Sequence, residues 1–181
     1  MAVVLVDSCI ITDLADSEGD WFEWSAETLE RLDLNHTLVI NPIIYAECSV
    51  GYDRIEEVDA LFEHLGFIMK TIPREALFLA GKAFLQYRKR QGQKGNVLPD
   101  FFIGAHAAVS GYQLVTRDRG RFSTYFPTVD LLMPDSTHVS VQLPLCKRGI
   151  EGDLSNKISP NPSQSTGSGH AFPKRGTERL L

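Results

Sequence analysis

The sequence predicts an α/β protein, a three-layer domain built on a mostly parallel five-stranded sheet. Five short runs rich in β-branched and apolar residues alternate with segments of helical periodicity, which is the signature of strand–helix–strand crossovers. No pair of these runs is joined by a tight hairpin turn. The first run, Ala2 to Val6, is apolar throughout, as strands covered on both faces are.

That first strand delivers Asp7 at its carboxyl end. Ser8 to Ala15 follows with Ile10, Ile11 and Leu14 at helical spacing, while Asp13, Asp16, Glu18 and Asp20 read as a solvated face and loop. Leu29 and Leu32, with Trp24, give the helix ending near Asn35 its apolar side, and Thr37 to Ile40 reads as a second buried strand. In NPIIYAE, Asn41 is a favourable N-cap and Pro42 suits the first helical position. Glu47 therefore lies in the early turns of a helix that follows a strand tip.

Ile55, Val58, Leu61, Phe62 and Leu65 predict an amphipathic helix ended by Gly66, with Phe67 to Ile72 as the third strand. Pro73 opens a long helix whose apolar stripe is Ala76, Leu77, Ala80, Ala83, Phe84 and Tyr87 and whose stop is Gly92. Arg88, Lys89 and Arg90 fall in its last turn, where cations suit the helix dipole, and Lys94 lies just beyond. Pro99 fits the first position of the next helix and sets Asp100 in its first turn. Gly104, Ala105, Ala107 and Ala108 leave this helix almost no bulk, so it can lie close to its neighbours, and Gly111 supplies the stop. Tyr112 to Thr116 reads as the fourth strand, with Asp118 just past its end. A helical turn over Arg121 to Tyr125 and a strand from Thr128 to Met133 complete the domain.

Composition limits what this domain belongs to. A chain of 181 residues, 43% hydrophobic, supports one good core. The domain is expected to span residues 1–135. Residues 136–181 read as a low-complexity tail: His138 to Leu145 resembles a loose strand, and residues 150–181, rich in Ser, Gly, Pro and Asn, are expected to be disordered. No run approaches the roughly 18 apolar residues that span a bilayer. MAVVLVDSC lacks the basic lead of a signal peptide, so a cytoplasmic location is expected. Cys9, Cys48 and Cys146 are odd in number and widely spaced, which argues against a disulfide framework or a zinc site.

Net charge is −5, and its distribution is uneven. From Pro144 onward there are six Lys/Arg against three Asp/Glu, which leaves twelve against twenty, a net −8, in residues 1–143. So acidic a body either avoids phosphate or carries carboxylates meant for cations.

The chain order favours cations. Asp7, Glu47, Asp100 and Asp118 each fall at a strand's carboxyl end or early in a helix, so a parallel sheet would gather them at one edge. Two bare carboxylates ~4 Å apart repel by about 4 kcal/mol at an effective dielectric near 20. A hard divalent cation, Mg²⁺ or Mn²⁺, relieves this and accepts an all-oxygen donor set. Such an ion also stabilises charge on a transferring phosphoryl group, so phosphodiester hydrolysis is the expected reaction. Taken singly, Asp100 is equally a helix-dipole residue and Asp118 a turn residue; the set carries the reading. Ser8 and Thr116 stand beside Asp7 and Asp118 as donors to a carboxylate or a bound water. An aspartyl-phosphate phosphatase would need a second acid two residues after Asp7, where Cys9 stands.

VDSCI, NPIIYAE, the Tyr87–Arg88 pair before a basic loop, LPDFFIGAHA and LVTRDRGRF, in that order, resemble the PIN-domain ribonucleases and among them the VapC-type toxins of bacterial toxin–antitoxin pairs. The resemblance covers residues 2–135. It implies a parallel five-stranded sheet, Mg²⁺- or Mn²⁺-dependent cleavage of RNA, and a cognate antitoxin that inhibits the enzyme by docking a helix near the active site. Carried over, its acidic set falls on Asp7, Glu47, Asp100 and Asp118. Asp7 and Asp100 are expected to hold the principal metal, completed by Glu47 and Asp118, while Arg88 and Lys94 contact substrate phosphates. The expected partners are RNA, the antitoxin and a second copy of the chain, with no membrane. Trp21, Trp24 and Tyr52 are candidate partner contacts or ordinary core aromatics. His106, about 240° around the helix from Asp100, is expected to be packed. The rival reading is a catalytically silent RNA- or protein-binding module.

Overall fold

The structure, a computed structural model, describes residues 2–90 and 98–134. Five strands and seven helices alternate along them: β1 (Ala2–Val6), α1 (Ser8–Ala15), α2 (Phe22–Asp33), β2 (His36–Ile40), α3 (Pro42–Ser49), α4 (Ile55–His64), β3 (Ile68–Met69), α5 (Arg74–Lys89), α6 (Leu98–Ser110), β4 (Gln113–Val115), α7 (Arg119–Tyr125) and β5 (Leu131–Leu132). The expected tail, the proposed stop at Gly92 and Lys94 lie outside the described residues.

All neighbouring strands are parallel, in the order β3-β2-β1-β4-β5. The chain winds outward from β1 to β3, then returns across the sheet to β4 on the other side of β1. Because parallel crossovers share one hand, this reversal puts α5 and α6 on the face opposite the earlier helices. It also opens a crevice beyond the carboxyl ends of β1 and β4, the usual place for a site in such sheets. The register joins them directly: Val6 pairs with Val115, and the Asp7 N–H donates to the Val115 carbonyl at 3.1 Å.

Val4, Leu5, Val6, Leu114 and Val115 are buried, as their apolar runs require. The edge strands are shorter than their sequences predict, two residues each instead of the six of 67–72 and 128–133. An edge strand has one neighbour, so pairing lasts only while that neighbour runs beside it. After β3 the chain runs on to Pro73, which precedes α5, and the Val129 N–H is held in a turn by the Phe126 carbonyl at 3.0 Å.

Helix α5 packs along α6, burying Ala76, Ala80 and Ala83. Leu77, assigned to this stripe from sequence, lies instead on a second apolar face, 45% exposed beside Phe78 and Leu85. At the start of α6, Phe101 is enclosed by rings from α5 and α7, with Phe84 at 5.6 Å, Tyr87 at 5.6 Å and Tyr125 at 5.2 Å between centroids. That clamp fixes the turn carrying Asp100. Gly111 ends the helix at φ 65°, the left-handed conformation glycine adopts freely. No helix among the described residues is long and apolar enough to cross a membrane.

Gly104 faces the buried Phe126 and Phe122 rings so closely that a Cβ would lie 3.0 Å from Phe122 Cδ1 and closer still to Phe126. Gly104→Ala is expected to cost about 1–3 kcal/mol of stability through overpacking. Urea unfolding at equilibrium measures this; a variant as stable as the wild type would show that α6 can shift without cost.

Candidate active site

Asp7 ends β1 and caps α1, accepting the Ser8 N–H at 2.9 Å. Its other oxygen accepts the Thr116 hydroxyl at 2.5 Å and the Cys9 thiol at 3.3 Å. Only 5% exposed, it is pushed above the ordinary carboxylate range by burial, against the bonds from Thr116, Cys9 and Ser8; the charge of Asp118 adds to the rise. Burial, followed by Asp7, also lifts the Cys9 thiol to about 12, so it stays protonated near neutral pH.

Glu47 projects from α3, whose start is fixed by Asn41: its Oδ1 accepts the Ile43 and Ile44 N–H groups, each at 3.0 Å. Asn41 is itself buried against His106, 3.3 Å from Nδ1. His106 is packed as expected, and burial lowers its pKa. The Ser8 hydroxyl donates to Glu47 Oε2 at 2.7 Å, which joins the acids of α1 and α3. Burial raises Glu47; Ser8 and Arg121 oppose the rise and Asp7 adds to it.

Asp100, in the first turn of α6, is pushed up to about 6 by burial. Arg121 opposes this, while the charges of Asp7, Glu47 and Asp118 reinforce it. Asp7, Glu47 and Asp118 thus lie near enough to Asp100 for their charges to act on it. Asp118 caps α7, its Oδ1 accepting the Gly120 N–H at 3.0 Å and the Arg121 N–H at 3.3 Å. Its own N–H donates to Thr116 Oγ1 at 3.1 Å. Thr116 thus ties the first acid to the fourth.

Sequence reasoning missed Arg121. Its guanidinium bridges Asp100 and Asp118, with Nη1 on Asp100 Oδ2 and both Nη2, at 2.5 Å, and Nε, at 2.7 Å, on Asp118 Oδ2. Burial would lower its pKa, but Asp100 and Asp118 outweigh this and hold it above its usual value. One signal was legible, a cation three residues after an N-cap acid. The contact to Asp100 depends on the fold.

A second correction concerns Asp13, read as part of a solvated face. It is 9% exposed, accepts the Ser25 hydroxyl at 2.7 Å and pairs with Arg117 at 2.8 Å. Arg117 lies over the Trp21 ring, 5.4 Å from its centroid. This pair anchors the residue before Asp118 to α1 and α2. Arg88 is exposed in the last turn of α5, and no contact joins it to the acids.

Among the described residues, no three of these side chains close into a ready-made metal cage. The donor set nevertheless suits a hard divalent ion. It is all oxygen, two of its carboxylates are bridged by a cation already, and Asp100 is uncomfortable without one. Beside Glu47 opens an apolar cleft of about 320 Å³, lined by Ile11, Ala15, Val50, Tyr52 and Leu61 among others.

The same fold occurs in solved structures. A chain of VapBC2 from Rickettsia felis, in a structure with a DNA fragment from its promoter, matches with a TM-score of 0.58 at 20% identity, covering 74% of this chain and 99% of that one. VapBC-1 from nontypeable Haemophilus influenzae gives 0.53 at 21%, covering 72% and 97%. A toxin–antitoxin complex from Klebsiella pneumoniae gives 0.51 at 23%, covering 66% and 90%. No match was found among curated proteins. The sequence matches the PIN domain over residues 4–125, and with the sheet reversing at β1 this chain belongs to the PIN domain family.

Proposed function

We propose that this protein is a divalent-metal-dependent endoribonuclease, the toxin of a toxin–antitoxin pair acting in the cytoplasm. What supports the reading is that Asp7, Glu47 and Asp118 act electrostatically on Asp100 beyond the β1 and β4 strand ends, reinforcing the burial that raises Asp100 to about 6 against the pull of Arg121. Family membership and the likeness in fold to toxin–antitoxin complexes support it.

In this reading Asp7 and Asp100, with Glu47 and Asp118, hold Mg²⁺ or Mn²⁺, which supplies charge stabilisation to a phosphoryl group under in-line attack. The chain's own work is positional. Thr116 and Ser8 fix the carboxylates of Asp7 and Glu47, and the Phe101 clamp fixes the turn of Asp100. Partial burial of these carboxylates strengthens the charge interactions among them. Arg88 and Lys94 offer the acidic body a positive surface for RNA phosphates. An antitoxin helix covers the apolar cleft beside Glu47, and a second copy of the chain covers the Leu77, Phe78 and Leu85 face of α5.

Purified protein is expected to cleave RNA with Mg²⁺ or Mn²⁺ and to stop when EDTA is added; cleavage that persists under chelation would overturn the metal assignment. Asp100→Asn keeps the shape and removes the charge. It should lose about 3 kcal/mol or more of transition-state stabilisation, on the order of 10²-fold in rate, with an unchanged circular dichroism spectrum. A folded Asp100→Asn protein cleaving at the wild-type rate would end the assignment. Binding of RNA without any cleavage would favour the silent module.

The metal-free protein carries a further signature. A carboxyl whose folded pKa is raised from 3.8 to about 6 stabilises the fold when protonated, and that stability is lost as pH rises through this window. Metal-free wild type should therefore melt at a lower temperature at pH ~7 than at pH ~5. Asp100→Asn should flatten that dependence and melt higher than wild type at the upper pH. Thermal melts in EDTA check both; an equally steep dependence in the variant would locate the strain elsewhere.

A further inference from the structure

Asp118 has two oxygens with different duties. Oδ1 is committed to the backbone, capping α7 through the Gly120 and Arg121 N–H groups. Oδ2 is held by the Arg121 guanidinium through both Nε and Nη2. On the far side of the same guanidinium, Nη1 takes Asp100 Oδ2. A divalent ion drawing on Asp118 must therefore take Oδ2, the atom Arg121 already holds, or break the α7 cap. An ion drawing on Asp100 through Oδ2 meets the same guanidinium, and a second cation in that gap is strongly repelled.

Arg121 is also able to leave. Its side chain is 37% exposed, its long stem gives it other rotamers, and it lies on α7, a helix held independently by the buried Phe122 and Phe126. We propose that Arg121 is a resident cation of the nuclease site, a guanidinium that keeps Asp100 and Asp118 assembled without metal and that a divalent ion must displace in order to bind. Arg121 thereby sets the ion concentration at which the site fills, because part of the ion's binding energy is spent on breaking the Arg121 bridges. This rests on the nuclease reading for the identity of the ion, while the competition itself rests on the geometry of Oδ2.

The test uses calorimetric titration of the full chain with MnCl₂, in the absence of RNA, for wild type, Arg121→Gln and Arg121→Lys. Removing the competitor raises the fraction of protein ready for the ion, so Arg121→Gln is expected to bind Mn²⁺ roughly tenfold tighter than wild type. Arg121→Lys, which keeps a charge but not the fork, should fall between them. In EDTA, Arg121→Gln should melt below wild type, and saturating Mn²⁺ should raise it by the larger increment. Equal or weaker Mn²⁺ binding by a folded Arg121→Gln protein overturns the proposal and leaves the nuclease reading intact. Absence of Mn²⁺ binding by wild type and both variants overturns the two together. A measurement on the unaltered protein guards against a variant that fails to fold: the Arg121 Nε–H resonance should move as Mg²⁺ is titrated in, and a resonance unmoved at saturation overturns the displacement.

Discussion

Burial of carboxylates, reinforced by their mutual repulsion, is the constraint that the packing around this crevice answers. Asp7, Glu47, Asp100 and Asp118 come from four separate segments, and burial together with their own charges pushes Asp7, Glu47 and Asp100 above the ordinary carboxylate range. A cluster of that kind opposes folding unless donors and cations answer it. The chain supplies the Thr116 and Ser8 hydroxyls, the backbone N–H groups at the starts of α1 and α7, and the Arg121 guanidinium.

The scaffold holds this cluster together from behind. Strands β1 and β4 are adjacent and parallel, so Asp7 is joined by backbone pairing to the end of β4, and Asp118 is tied to the same place through Thr116 Oγ1. Helix α6 approaches closely because Gly104 leaves room for Phe126 and Phe122, and its first turn is clamped through Phe101. The buried Asp13–Arg117 pair anchors the loop before Asp118 to α1 and α2. Each of these contacts stabilises the fold and also resists the separation of the acids. Strain concentrated at a site and offset by packing around it is the arrangement expected where function and stability pull apart.

Arg121 changes how the acidic centre is understood. Four carboxylates without a partner would await an ion passively. With a guanidinium already between two of them, the centre has two competing ways of being neutralised, one intramolecular and one dependent on the solution. The intramolecular one costs no association entropy but uses a half-exposed side chain screened by water. In the proposed competition, ion concentration sets which of the two prevails.

Much of the fold was legible in the sequence, as was the placing of each of the four acids after a strand or early in a helix. Asp7 after a wholly apolar run, Asn41–Pro42 ahead of Glu47, Pro99 ahead of Asp100 and Asp118 beyond a short strand are local signals, governed by capping preferences and dihedral limits that act within a few residues. The PIN resemblance added an order to them. Three things were not legible. The edge strands shrank to two residues because their length depends on a neighbour's extent. Leu77 turned outward because an apolar face is defined by what packs on it. Asp13 found Arg117, and Asp100 found Arg121, across long stretches of chain. Sequence determined the type and order of the elements and which acids follow the strands or open the helices, since those are near-neighbour effects. Only the tertiary structure decided which cation meets which acid, because charges in a buried crevice pair by distance in space, and that distance is set by how α6 and α7 pack against each other.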